Sequence, residues 1–224
     1  MKGLLDIRLH LVVAALLCGL TLGMVSWFAP LEVPGLGSSY LIVYFHLPSA
    51  LNSLGFFLLG GVLSAFYLFR KDDRYDVWAS SAIVTGLFAC TITLVTGSTW
   101  ARTAWGHWWL WSDPRLLSMA VTWYFFMGYV MLRLAVPEPE KRARFAAVFG
   151  IICSLNVPIV YFAIKIFGAV NHPVDVAFGT RVRITFYVAL VGFALVYFLL
   201  YRSWVRSENA RRTVERLKRT IYEA

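Results

Sequence analysis

Charge is scarce in this chain. Of its 224 residues only 15% are Asp, Glu, Lys or Arg, whereas 59% are apolar. A chain so poor in polar side chains cannot dress a soluble globule in water, and long apolar runs mark a membrane protein. Acidic residues are the scarcest charges, 12 against 21 basic ones. Cysteine is nearly absent: Cys18, Cys90 and Cys153 each lie inside an apolar run, where they read as small apolar side chains and not as disulfides or metal ligands. No C-x-x-C occurs, which argues against a thiol oxidoreductase, and no G-x-x-x-x-G-K-[ST] loop occurs, so the chain has no ATP site of its own. No soluble domain and no internal repeat interrupts the apolar runs.

Those runs set the fold class. A bilayer-spanning helix needs ~20 mostly apolar residues, because ~30 Å of hydrocarbon is crossed at ~1.5 Å per residue. Runs of that length fall near 9–29, 41–69, 77–99, 116–136, 145–164 and 184–204. Backbone groups must be satisfied within lipid, so all six are helices. The expectation is an all-α polytopic membrane protein with six transmembrane helices. The apolar stretch from Leu9 to Phe28 is too long for a signal-peptide core and reads as a retained first helix.

Lys and Arg set the expected orientation. Sixteen of them fall at the N-terminus, in the 70–76 loop, in the 133–144 segment and in the C-terminal tail. The opposite side holds five: Arg102, Arg115, Lys165, Arg181 and Arg183. The positive-inside rule then places both termini in the cytoplasm. Residues 1–204 form the transmembrane domain, with an outer loop at about 100–115, and 205–224 form a basic cytoplasmic tail. The excess of basic charge reports topology; it is not a nucleic-acid footprint. The tail suits a solvated helical extension, anionic lipid or a cytoplasmic partner.

Residues 103–116, "TAWGHWWLWSDPRL", carry Trp105, Trp108, Trp109 and Trp111 within seven positions, and Trp100 and Trp123 flank them. Three of the four histidines fall on the same outer side: His46 at the start of the second helix, His107 inside the Trp stretch, and His172 between the last two helices. The outer carboxylates are Glu32, Asp113 and Asp175, too few for a hard-cation site or for paired-carboxylate catalysis. Imidazoles, indole faces and cations together suit haem, a flat apolar disc whose iron accepts axial imidazole and whose propionates favour cations. With no C-x-x-C-H present, that haem would be held without covalent attachment, as a b-type group. The residues themselves leave other readings open. The tryptophans suit an interfacial belt, each histidine suits a packing or hydrogen-bonding role, and Asp113–Pro114 suits the N-cap and first turn of the fourth helix.

"WGHWWLWSDPRL" resembles the W-G-x-W-W-x-W-D signature of the haem-handling membrane proteins of cytochrome c maturation, and within that group the protein C family. The likeness runs from the first helix to the sixth and includes "YFHLPSA" and "NVPIVYFAIK" followed by a histidine. It implies that His46 and His172 are the axial ligands of the haem iron. It also implies that the stretch from Trp105 through Trp108, Trp109 and Trp111 to Asp113 is the haem platform, with Arg115 beside it. Such a protein binds haem at the outer face of the bacterial cytoplasmic (inner) membrane and passes it to a membrane-anchored haem chaperone, maturation protein E. It works with an ABC transporter made of maturation proteins A and B and with a small helper, protein D. It is not an enzyme. The chain departs from the signature in placing Ser112 between Trp111 and Asp113, and His107 fills a variable position. Competing readings are a cytochrome c synthase, disfavoured because Arg115–Leu116 follow Asp-Pro, a haem export permease, whose spans would need a polar channel, and a b-type electron-transfer cytochrome, which would need histidine pairs on facing helices.

Overall fold

The computed structural model describes residues 2–34, 36–168, 172 and 178–222; Asp175 lies outside them. Among these residues seven α-helices follow one another: α1 (Lys2–Trp27), α2 (Val43–Arg70) after a 3₁₀ turn over Ser38–Ile42, α3 (Asp73–Trp105), α4 (Pro114–Ala135), α5 (Pro139–Ser154), α6 (Asn156–Phe167) and α7 (Thr180–Tyr222). Among the described residues there is no strand, and six helical stretches are long and apolar enough to cross a membrane.

The fifth stretch is two helices, not one. Pro158 has no N–H to donate to the Ser154 carbonyl, and its ring crowds that carbonyl, so the helix must end and restart there. The break falls at Leu155, whose N–H reaches Ile151 O at 3.3 Å and Ile152 O at 3.2 Å. Asn156, just beyond it, donates from Nδ2 to Thr122 Oγ1 on α4 at 2.6 Å. α7 passes residue 204 unbroken, so the basic tail continues the last membrane helix, the helical extension among the readings of the sequence.

The core sits between α2, α3, α4 and α5. Phe57 and Phe126 stack with ring centroids 3.8 Å apart and planes 5° from parallel, among Ile83, Tyr129 and Cys153, all buried. Apolar burial does not drive helices together inside lipid, so close backbone approach by small residues does. Gly61 shows how close: a Cβ there would stand 2.2 Å from Ser154 Oγ on α5. Gly61→Val is therefore expected to cost about 1–3 kcal/mol through overpacking, read as a lower melting temperature in detergent. α1 stands apart from this core and leans on α7, where Gly192 lets Leu17 approach.

Helix alternation brings to one end of the bundle the helix ends that three connections join: Trp27 and Val43, Trp105 and Pro114, Phe167 and Thr180. At the other end Asp76, in the first turn of α3, is buried and doubly paired. Arg133, in the last turn of α4, donates to its two oxygens at 2.6 and 3.1 Å, and Arg212 on the α7 extension donates to Oδ2. Acid at a helix start and base at a helix end also suit the two helix dipoles.

Candidate functional site

Helical spacing builds a cavity at the end with the three connections. α2 presents His46, Ala50 and Leu54, and α3 presents Thr93, Gly97 and Trp100, each set recurring every three or four residues. α4 adds Arg115 and Met119, α6 adds Tyr161 and Lys165, and the connections add Trp109, His172 and Phe178. The cavity holds about 440 Å³, inside the ~300–1,000 Å³ range of small-molecule sites.

His46 is fixed at its Nδ1. Thr96 donates its own hydroxyl hydrogen to Ile92 O at 2.7 Å, so its oxygen accepts the Nδ1–H of His46 at 3.1 Å. Gly97, the next residue, makes room for the ring: a Cβ there would stand 2.8 Å from His46 Cε1.

His172 is fixed by Asp113. The helix signal Asp-Pro works as the sequence suggests: Asp113 caps α4, with Oδ1 accepting from the Arg115 and Leu116 backbone N–H at 3.0 and 3.1 Å, and Pro114 opens the first turn. The same carboxylate lies 3.1 Å from His172 Nδ1. Burial pushes the Asp113 carboxyl up, but His172 and the two backbone donors outweigh it and hold the group below the usual carboxylate range. Burial pulls the His172 imidazole below its ordinary value, and Asp113 offsets that only in part. A carboxylate oxygen can only accept, so the His172 Nδ1–H is the donor of this pair. Trp105 and Trp100 set their rings edge-on to His172 at 5.4 and 6.2 Å. Both histidines therefore carry hydrogen on Nδ1 and keep a lone pair on Nε2, the state in which imidazole binds a metal.

Four of the eight residues expected from sequence, His46, His172, Trp109 and Arg115, line the cavity. Asp113 and Trp105 stand behind His172 and brace it. Trp108 and Trp111 are 58% and 69% exposed and outside the wall, so the four indoles do not line this cavity together. The physical reason is the length of α3, which includes Trp105 and stops only at Gly106 in the left-handed conformation, φ 81°. The loop proper is shorter than the sequence suggests, and Ser112 belongs to the turn before the Asp113 cap. The His107 ring sits tilted against Trp105, centroids 6.1 Å apart, and does not line the cavity. Among the basic candidates, Arg115 and Lys165 line it; Arg102 donates to Gly106 O, and Arg181 sits over the Phe28 ring at 5.6 Å.

Sequence reasoning noted Trp100 only as a flank of the Trp stretch and gave no role to Thr96, Gly97 or Tyr161. The spacing of Thr93, Gly97 and Trp100 was the available signal, since steps of four and three keep residues on one helix face. The indole N–H groups of Trp100 and Trp109 are both buried without a hydrogen-bond partner among the described residues. Two orphaned donors in one cavity wall are expensive unless a ligand uses them.

A bundle of six membrane-length helical stretches with an apolar, imidazole-walled cavity at one end is the architecture of a multi-pass membrane protein. The chain belongs to the family CcmC, described as Heme exporter protein C, whose match spans residues 3–221. It is 30% identical over 213 residues to the Heme exporter protein C of Paracoccus denitrificans, covering 92% of this chain and 88% of that one. It is 29% identical over 188 residues to the Heme exporter protein C of Bradyrhizobium diazoefficiens, covering 81% and 71%. A putative cytochrome c biosynthesis ccmC-like mitochondrial protein of Marchantia polymorpha is 29% identical over 175 residues, covering 77% and 73%.

Proposed function

We propose that this protein binds haem non-covalently between His46 and His172 and delivers it to a haem chaperone during c-type cytochrome maturation. The observation that carries this reading is that two histidines far apart in sequence wall one apolar cavity, each tied at Nδ1. The rest of the donor set fits the same cargo. Arg115 and Lys165 offer cations to the propionates, the orphaned Trp100 and Trp109 N–H groups offer donors to carboxylate oxygens, and Trp109, Met119 and Leu54 offer apolar surface to the ring.

The distribution of Lys and Arg supports cytoplasmic termini, which puts the cavity on the periplasmic side of the inner membrane. An end-on cavity leaves one side of the cargo within reach of a membrane-anchored acceptor, maturation protein E. The chain makes and breaks no covalent bond of its own, and ATP-driven release falls to the A and B transporter subunits, with protein D as helper.

Protein purified in detergent is expected to carry haem with a low-spin visible spectrum. His46→Ala and His172→Ala are each expected to lose most of that haem or fail to load the chaperone, and His107→Ala to lose less. Both variants keeping the wild-type spectrum and still loading the chaperone would overturn the ligand assignment.

A further inference from the structure

The two imidazoles share one cavity but not one kind of partner. The Nδ1–H of His46 meets uncharged oxygen: the Thr96 hydroxyl at 3.1 Å, with the Thr93 carbonyl as the other acceptor nearby. Thr96 has no hydrogen left for a further role, since it is spent on the Ile92 carbonyl at 2.7 Å, with that of Thr93 at 3.2 Å. The Nδ1–H of His172 meets a carboxylate that is itself buried, Asp113, at 3.1 Å from Oδ2. An imidazole that donates to a carboxylate gains negative character at the ring and binds a metal more strongly, whereas one that donates to a neutral oxygen gains little. Low local dielectric widens the difference. The packing agrees, for the rings of Trp100 and Trp105 flank His172.

We propose that Thr96 and Asp113 act as positioning residues that make the two axial ligands unequal, so that His46 releases the iron first and His172 holds it until hand-over is complete. This rests on the haem reading above. The step is a ligand exchange: the iron–Nε2 bond of His46 breaks, its electron pair stays on the imidazole, and the acceptor's ligand donates a pair to the vacated position. No electron changes hands, and the His172 bond persists through the exchange. An ordered release keeps the cargo attached on one face throughout, which a pair of equal ligands would not ensure.

Carbon monoxide tests the order, because it takes the position of whichever imidazole leaves. Detergent-purified wild type, His46→Ala and His172→Ala, each reloaded with excess ferrous haem, are compared by the C–O stretching frequency of the adduct. Wild type and His46→Ala are expected to give the same frequency, since His172 lies opposite the CO in both, and His172→Ala a different one. A wild-type frequency that matches His172→Ala instead overturns the proposal.

Asp113→Asn tests the cause. Asn caps a helix as well as Asp does, so the substitution removes the charge and spares α4. It is expected to raise the haem reduction potential and to speed haem loss to excess apomyoglobin by about 10–100-fold. Thr96→Val is expected to leave the potential near wild type. An unshifted potential in Asp113→Asn with an unchanged melting temperature, or an equal shift in Thr96→Val, overturns it. Failure of the haem reading itself looks different: wild type then takes up no haem, or both histidine variants keep its spectrum.

Discussion

Asp76→Ala is expected to destabilise the bundle by about 3–5 kcal/mol, the cost of removing one partner from a buried ion pair. The size follows from what remains. Arg133 and Arg212 are 12% and 16% exposed at their side chains, and Asp76 is 4% exposed. With the carboxylate gone, two guanidiniums lose the charge between them; Arg133 is left without its ion-pair partner, and Arg212 keeps Glu208, at 3.0 Å on its own helix, and the largely exposed Asp73, at 3.9 Å. The measurement is thermal unfolding in detergent, together with trypsin cleavage of the α7 extension, which Asp76 ties down through Arg212. A melting temperature within a degree of wild type would show that the cluster is decorative. The partner experiment is the triple replacement of Asp76, Arg133 and Arg212 by apolar residues of similar size. It is expected to recover much of the loss, because burying the pair cost desolvation in the first place.

Gly97→Ala is the second large effect, and it separates binding from folding. The added methyl would stand 2.8 Å from His46 Cε1. The ring cannot swing clear without giving up Thr96, one residue earlier on the same helix. Displacing a metal ligand by a fraction of an ångström has the same kind of consequence as losing its hydrogen-bond partner, roughly 10–100-fold in affinity. Stability moves little, since Ala favours a helix over Gly by about 1 kcal/mol and this offsets part of the crowding. Haem titration beside a thermal melt checks both halves. Unaltered haem affinity would mean that His46 does not need its present position to bind.

The six spans were legible because their lengths answer to one physical constraint, the thickness of hydrocarbon. The break at Leu155 was legible too, in Pro158, but a hydropathy window averages over the missing hydrogen bond. The site was half legible. His46 and His172 stood out by residue type and by lying near span ends, and Asp113–Pro114 by helix-start chemistry. The tryptophans part company in the fold, because crowding in sequence is not crowding in space. A helix turns successive residues about 100° apart, so α3 carries Trp100 into the cavity wall and Trp105 behind His172. Trp108 and Trp111, past the helix end, face outward. Thr96 and Gly97 could not announce themselves, because a hydroxyl already spent on its own helix and a missing side chain matter only once His46 is packed on them.

Asp113 leaves little room for substitution. Asparagine would start α4 equally well but bring no charge to the ring beyond it; glutamate would bring the charge, yet its extra methylene takes the oxygens out of reach of the first-turn amides. Serine and threonine fail as asparagine does. Of the twenty side chains, one is short enough for the first duty and anionic enough for the second, so under the proposed haem reading any replacement surrenders either a helix start or the charge behind His172.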